Sequence, residues 1–202
     1  MPEGPASWDE VYATRRADEV SWFQREPEVS LHLVTRYAAT ESAVVDVGAG
    51  ASLLADRLVE RGYSDVTLVD LSSVALAQVT ERLGDSPVHV IVADVLEWRP
   101  DRRYDLWHDR AVLHFLVEED DRNRYVEKVS ATLAPGGFVV IGVFALDGPT
   151  HCSGREVHRY DQEALADLFA PAFTLVRSDR ELHVTPGGAT QPFTWAVLAR
   201  GN

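Results

Sequence analysis

Apolar residues recur along this chain in two alternating rhythms, short β-branched runs and helical repeats. Ala43-Val44-Val45-Asp46-Val47 has the character of a strand buried on both faces, and Gly48-Ala49-Gly50 ends it. Leu54 and Leu58 follow at helical spacing. Val66-Thr67-Leu68-Val69 is a second buried strand, closed by Asp70; Ser72 then caps a helix whose Leu76, Val79 and Leu83 share one face. Val88–Val92 and Tyr104–His108 predict a third and a fourth strand. Tyr125, Val129 and Leu133 mark another helix, stopped by Pro135-Gly136-Gly137, and Phe138–Phe144 is the most apolar strand of all. Strand and helix alternating at this spacing predict a parallel sheet with helices on both faces.

The two ends break the rhythm. Asp161–Phe169 reads as a helix, and Phe173–Val184 and Phe193–Ala199 as strands joined by Thr185–Pro192. That loop is too short for a parallel crossover, so the last two strands must form an antiparallel hairpin. Ahead of the first strand, Ser7–Ala17 and Glu28–Ala39 predict helices linked through Ser21-Trp22-Phe23-Gln24. The expected architecture is an α/β, Rossmann-like, doubly wound sheet of about seven strands in one domain spanning 1–202. Residues 1–40 form a helical lid in that reading, and 41–202 the core.

Composition narrows the function. The chain has 202 residues, enough for one sizeable core, with 32 acidic against 19 basic side chains and a formal net charge of −13. Lys128 is its single lysine. Such a surface repels phosphate backbones, so nucleic acid is not an expected partner. Cys152 is the single cysteine, which removes an internal disulfide and any cysteine-based zinc site and fits a reducing cytoplasm. No stretch approaches the roughly 20 apolar residues of a membrane span. Composition leaves the oligomeric state open.

Candidate chemistry sits where the strands end, because open α/β sheets bind ligands outside the carboxyl ends of their strands. Gly48 and Gly50 permit a tight turn and close approach of a ligand, although glycines at this spacing also serve ordinary turns. Asp70, twenty residues after Gly50, is placed to accept both hydroxyls of a ribose; otherwise it is a turn acid before a helix. Asp94, after the third strand, is either an acceptor for an adenine amino group or a turn residue. A nicotinamide fingerprint is missing: Leu53 stands where its third glycine belongs, and no glycine follows until Gly62.

The succession Val-Val-Asp-Val-Gly-Ala-Gly, Leu-Val-Asp-Leu-Ser, Val-Ala-Asp-Val, Tyr-Asp-Leu-Trp-His-Asp-Arg-Ala-Val-Leu-His-Phe and Leu-Ala-Pro-Gly-Gly-Phe-Val-Val-Ile runs from about Val44 to Phe144. It resembles class I S-adenosylmethionine-dependent methyltransferases. Trp107–His114, with Trp8-Asp9, Tyr12 and Ser21-Trp22-Phe23, is most similar to small bacterial enzymes of the thiopurine and tellurite-resistance type. The resemblance implies S-adenosyl-L-methionine as cofactor and S-adenosyl-L-homocysteine as product. Asp46, Gly48 and Gly50 would hold the methionine end, Asp70 the ribose, and Leu71, Asp94 and Val95 the adenine. Asp109, Arg110 and His114 would lie near the sulfonium and the acceptor. One departure is Ala51, where many members have a further glycine or other small residue.

Methyl transfer from a sulfonium is an in-line displacement that needs a general base only for a protonated, weakly acidic nucleophile. His114 is either that base or part of a helix start. Arg110 either fixes a carboxylate or pairs with Asp109. The Asp147–Arg159 segment leaves the fifth strand at its carboxyl end; its His151, Cys152 and His158 match no metal motif, so no metal is expected. Cys152 reads as a small buried filler or a contact for a soft substrate. Trp22 and Phe23 either wall the pocket or fasten the N-terminal helices. The expected acceptor is a small molecule with a sulfur, selenium, tellurium or nitrogen nucleophile. The alternatives are a protein lysine or N-terminal methyltransferase and a cofactor-binding protein without catalysis.

Overall fold

The computed structural model describes residues 5–201. In chain order its strands are β1 (Val44–Val47), β2 (Val66–Asp70), β3 (Val88–Val92), β4 (Tyr104–Arg110), β5 (Leu133–Phe144), β6 (His151–Cys152), β7 (Arg155–Glu156), β8 (Phe173–Val184) and β9 (Thr190–Arg200). Seven of them form one sheet in the order β3-β2-β1-β4-β5-β9-β8, while β6 and β7 make a separate small hairpin. Strands β1 to β5 run parallel, and β9 and β8 add antiparallel. This is the Rossmann-like sheet with a closing hairpin that the hydrophobic pattern predicts.

Burial on both faces explains the β-branched runs. All four residues of β1 are buried. Val44, Leu68, Leu106 and Val140 face one apolar layer, completed by the helices α2 (Glu28–Tyr37), α3 (Leu54–Glu60) and α4 (Ser73–Leu83). Val45, Val69, Trp107, Val139 and Ile141 face the other, covered by α5 (Glu119–Thr132) and α6 (Gln162–Phe169). Ser72 caps α4 by accepting from the Ala75 N–H at 3.1 Å, and Asp161 caps α6 through Ala164 at 2.8 Å.

The structure moves several boundaries of the sequence reading: the first helix ends at Thr14, the second at Tyr37, and the last strand already begins at Thr190. Strand β4 continues past His108 to Arg110, because Asp109 and Arg110 keep pairing with Ile141 and Gly142 of β5. Leu133 belongs to β5, not to the helix before it: its backbone is extended and it pairs with Tyr104. The proposed lid divides. Helix α2 is a core layer, with Leu33 and Val34 fully buried, so only α1 (Pro5–Thr14) and the link to α2 cover the carboxyl edge; residues 1–4 of the expected lid and Asn202 lie outside the described residues. Helix α1 is latched to the start of α4, where Asp9 accepts from Ser72 Oγ at 2.6 Å and from the Val74 N–H at 3.1 Å.

At the join between the parallel and antiparallel halves, Gly142 of β5 faces Trp195 of β9 across the ladder. A β-carbon on Gly142 would lie 2.7 Å from three carbons of that indole, which is fully buried and donates to Glu181 Oε2 at 2.8 Å. Gly142→Ala is therefore expected to cost about 1–3 kcal/mol by overpacking. Denaturant unfolding of the variant, read as a lowered midpoint at unchanged slope, checks this.

Candidate functional site

The chain crosses from β3 on one side of β1 to β4 on the other, so the strand order reverses between β1 and β4. A crevice opens at that reversal outside the carboxyl ends. Alternation along the strands then decides which side chains enter it. Asp46 and His108 are register partners on β1 and β4, and His108 Nδ1 lies 2.6 Å from Asp46 Oδ1 with both side chains buried. Arg110, two residues beyond His108, points to the same face.

Two cavities meet here. The larger is lined by Asp70, Leu71, Asp94 and Val95, the four residues assigned from the sequence to a nucleoside, and by Gly48, Arg110, Trp22 and Cys152. Asp70 accepts from the Gly50 N–H at 2.8 Å and the Ser72 N–H at 2.7 Å, one bond on each oxygen, which leaves a lone pair free on both. Its carboxyl is pushed up to about 6, chiefly by burial, against those two bonds. Asp94 accepts from the Leu96 N–H at 2.9 Å. Over this floor stand Trp8, Tyr12, Trp22 and Phe115 in edge-to-face contact; Trp8 is 5.9 Å from Trp22 and 5.5 Å from Phe115 between ring centres. Arg155, on the β6–β7 hairpin, stacks its guanidinium 4.3 Å from the Trp8 ring centre and joins that hairpin to α1.

The smaller cavity lies under the glycine turn and is lined by Asp46, Gly48, Phe23, Ser30, His108 and Arg110. Gly48 and Gly50 both have positive φ. Space excludes side chains there as well: a β-carbon on Gly50 would meet the Tyr12 hydroxyl at 2.3 Å, and one on Gly48 would meet Val112 Cγ2 at 2.0 Å. Tyr12 thus covers Gly50, its phenol raised by burial and by nearby Asp70, and it accepts from Trp22 Nε1 at 3.2 Å.

Other candidates lie elsewhere. Asp109 alternates to the opposite face, where it accepts from the Val112 and Leu113 N–H groups at 2.8 and 3.0 Å and from the Tyr125 hydroxyl at 2.5 Å. It fastens the turn after β4, is pushed up to about 6 by burial, and makes no pair with Arg110. His114 is fully buried between Phe115 and Phe144, and neither ring nitrogen has a hydrogen-bond partner. Burial, with Arg110 nearby, pushes its imidazole down to about 3, which makes it a poor proton acceptor near neutrality. His151 is exposed and lines neither cavity, and Phe23 reaches only the smaller one. Cys152 does enter the larger cavity, its thiol raised to about 11 by burial against the pull of Arg110. Among the described residues, no group of three or more His, Cys, Asp or Glu side chains is arranged to hold a metal.

Sequence reasoning passed over Trp8 and Tyr12 as site residues, along with Ser30, His108 and Phe115. The i, i+4 spacing of Trp8 and Tyr12 was a signal that one helical face is aromatic; that the face covers Gly50 depends on the Asp9 latch.

A family model described as a methyltransferase domain matches residues 44–137. The chain is similar to EEF1A lysine methyltransferase 2 of Danio rerio, with 26% identity over 183 residues that cover 84% of this chain and 71% of that protein. It is also similar to malonyl-[acyl-carrier protein] O-methyltransferase 1 of Ilyobacter polytropus, 26% identical over 129 residues, and spans 47% of that relative's length. Its fold matches the 1,6-didemethyltoxoflavin-N1-methyltransferase of Burkholderia thailandensis, solved with 1,6-didemethyltoxoflavin and S-adenosylhomocysteine. The TM-score there is 0.76 at 24% identity, covering 98% of this chain and 87% of that one.

His114 gives a test with a definite sign. Its unpartnered, neutral imidazole in an aromatic niche favours an apolar replacement, so His114→Leu is expected to stabilise the fold by about 1–2 kcal/mol at neutral pH. In the wild type the unfolded imidazole binds a proton below its ordinary 6.5, while the folded one stays neutral down to about 3. Folding stability contributed by this group is therefore present above 6.5 and lost as pH falls. The advantage of the variant grows by up to about 1.4 kcal/mol per pH unit below that point. Thermal or urea unfolding at pH 7, 6 and 5 measures it; a variant less stable than wild type at pH 7 would place a bonded, working nitrogen at His114.

Proposed function

We propose that this chain is an S-adenosylmethionine-dependent methyltransferase and that it methylates a small-molecule nucleophile, a thiol, a chalcogen species or a heteroaromatic nitrogen. The observation that carries this reading is the aromatic cover of the larger cavity. Trp8, Tyr12, Trp22 and Phe115 interlock above the nucleoside floor, and Cys152 closes one side. A half-open, mostly apolar cavity roofed by aromatic rings suits a compact ligand better than an extended chain. The resemblance to thiopurine and tellurite-resistance enzymes belongs to the same proposal.

The residues present fit the cofactor. Glycine backbones at positive φ make a turn with no room for side chains, and a carboxylate with free lone pairs stands one strand away. When bound, S-adenosylmethionine supplies an electrophilic methyl group on a sulfonium. In this reading Asp70 accepts the ribose hydroxyls, Leu71 and Val95 flank the adenine, and Asp94 takes its amino group. The Gly48–Gly50 turn admits the methionine end beside the Asp46–His108 pair. The aromatic cover excludes water and orients the acceptor, and its π-faces favour a cation. Neither His114 nor Cys152 is suited to take a proton at neutral pH, so the acceptor should arrive already nucleophilic.

Two measurements test this. S-adenosylhomocysteine should raise the melting temperature of the wild type by mass action. Asp70→Ala should weaken its binding by about 1–3 kcal/mol, since two ribose hydroxyls lose a charged acceptor; an unchanged dissociation constant would return Asp70 to a turn role. Turnover of radiolabelled cofactor on thiols, selenite, tellurite and heteroaromatic amines, run beside a cell lysate, tests the acceptor class. Label transferred only to protein lysine would overturn the small-molecule reading in favour of the activity that names the Danio rerio relative.

A further inference from the structure

Four arginines in this protein show how its guanidinium groups are satisfied. Arg16, Arg57, Arg82 and Arg177 each turn the Nε–Nη2 edge onto one carboxylate (Asp18, Glu26, Asp56 and Asp179), with contacts of 2.5–3.0 Å. That edge presents two parallel N–H donors, matched to the two oxygens of a carboxylate. In Arg110 the same edge is free. Its Nε and Nη2 are shut away from solvent and have no hydrogen-bond partner, while Nη1 donates to the Trp22 carbonyl at 2.9 Å. The group lies 4.8 Å from the ring centre of Phe193, which restrains it without neutralising it.

No acid of the described residues completes the pair. Asp109 is turned to the far side of the sheet, and the nearest influence, Glu181, has its oxygens engaged by Gln24 Nε2 at 2.5 Å and Trp195 Nε1 at 2.8 Å. An unpaired buried cation is costly, so a fold that keeps one holds it for a guest. Arg110 lines both cavities, and the smaller one adds two more buried polar atoms without partners, His108 Nε2 and Ser30 Oγ. The planar fork, its burial and its place between the two cavities all point to one ligand chemistry.

We propose that the Nε–Nη2 edge of Arg110 is a bidentate receptor for a carboxylate brought in by a ligand of the methyl-transfer site. The proposal rests on that site being the methyl-transfer centre. Two guests carry the required group, the amino-acid end of the cofactor and an acidic acceptor.

Arg110→Met keeps most of the side chain's length and its contact with Phe193 but removes the fork; Arg110→Lys keeps the charge without the paired donors. The probes are S-adenosylhomocysteine and 5′-methylthioadenosine, which shares the nucleoside and the sulfur but lacks the amino-acid end, titrated calorimetrically. Steady-state kinetics on 3-mercaptopropionate against 1-propanethiol, matched but for the carboxylate, accompany them. A cofactor guest predicts that Arg110→Met weakens S-adenosylhomocysteine roughly ten- to a hundredfold and spares 5′-methylthioadenosine. An acceptor guest predicts unchanged binding of both nucleosides and a raised KM for the acidic thiol alone. In either case Arg110→Lys recovers only part of the loss, and the ligand-free Arg110→Met protein melts no lower than wild type, having shed an unpaired charge. Equal effects on ligands with and without a carboxylate, or no effect on any, overturn the proposal. Failure of the wild type to bind either nucleoside would instead overturn the cofactor reading beneath it, and the proposal with it.

Discussion

Asp46 and His108, 2.6 Å apart across the β1–β4 ladder, put polar groups into a sheet whose strands are otherwise closed on both faces by apolar side chains. A buried carboxylate needs a donor, and the register of the parallel ladder supplies one directly opposite. This pairing holds the ends of the two central strands together where the strand order reverses. The glycine turn leaves from Asp46-Val47, and Arg110 follows two residues after His108. The start of the glycine turn and Arg110 take their places at the crevice from these two strand ends.

Around it the protein buries four further titratable groups. Burial raises Asp70 and Asp109 to about 6 and lowers Arg110 and His114. Asp109 is compensated by three donors and serves the turn after β4. Asp70 keeps lone pairs and Arg110 keeps a donor edge, so these two carry unspent polar capacity into the cavities. Ligand sites concentrate groups of this kind, since partners absent from the chain itself must come from outside. His114 differs: its niche is aromatic, and its neutral ring behaves there as one more apolar filler.

The cover over the site follows a separate logic. Helix α1 is held by Asp9 at the start of α4, by Gln78 Nε2 donating to the Tyr12 carbonyl at 3.0 Å, and by Arg155 against Trp8. These contacts come from two distant parts of the chain, α4 and the β6–β7 hairpin, and meet above the carboxyl edge. Tyr12 of α1 joins a small buried cluster with Ala51 and Ala75, whereas Leu31, Leu33 and Val34 of α2 lie in the main core.

The sequence by itself determined the strand and helix order, the parallel sheet with its closing hairpin, the glycine turn and the strand-end acids Asp70 and Asp94. Each of these follows from local pattern: β-branched runs that must be buried, residues that allow positive φ, and acids at strand ends. Leu71 and Val95 came only from the resemblance to class I methyltransferases. Tertiary structure alone decided the fates of Asp109, Arg110 and His114. Asp109 and Arg110 are adjacent, yet strand alternation sends one to a helix-side turn and the other into the crevice, and the division was hidden while β4 was taken to end at His108. The aromatic cover was equally hidden, because the partners of Trp8 and Tyr12 lie between ten and well over a hundred residues away. Local patterning fixes which backbone conformations are affordable; whether a buried polar group is satisfied depends on atoms brought together only when the chain closes.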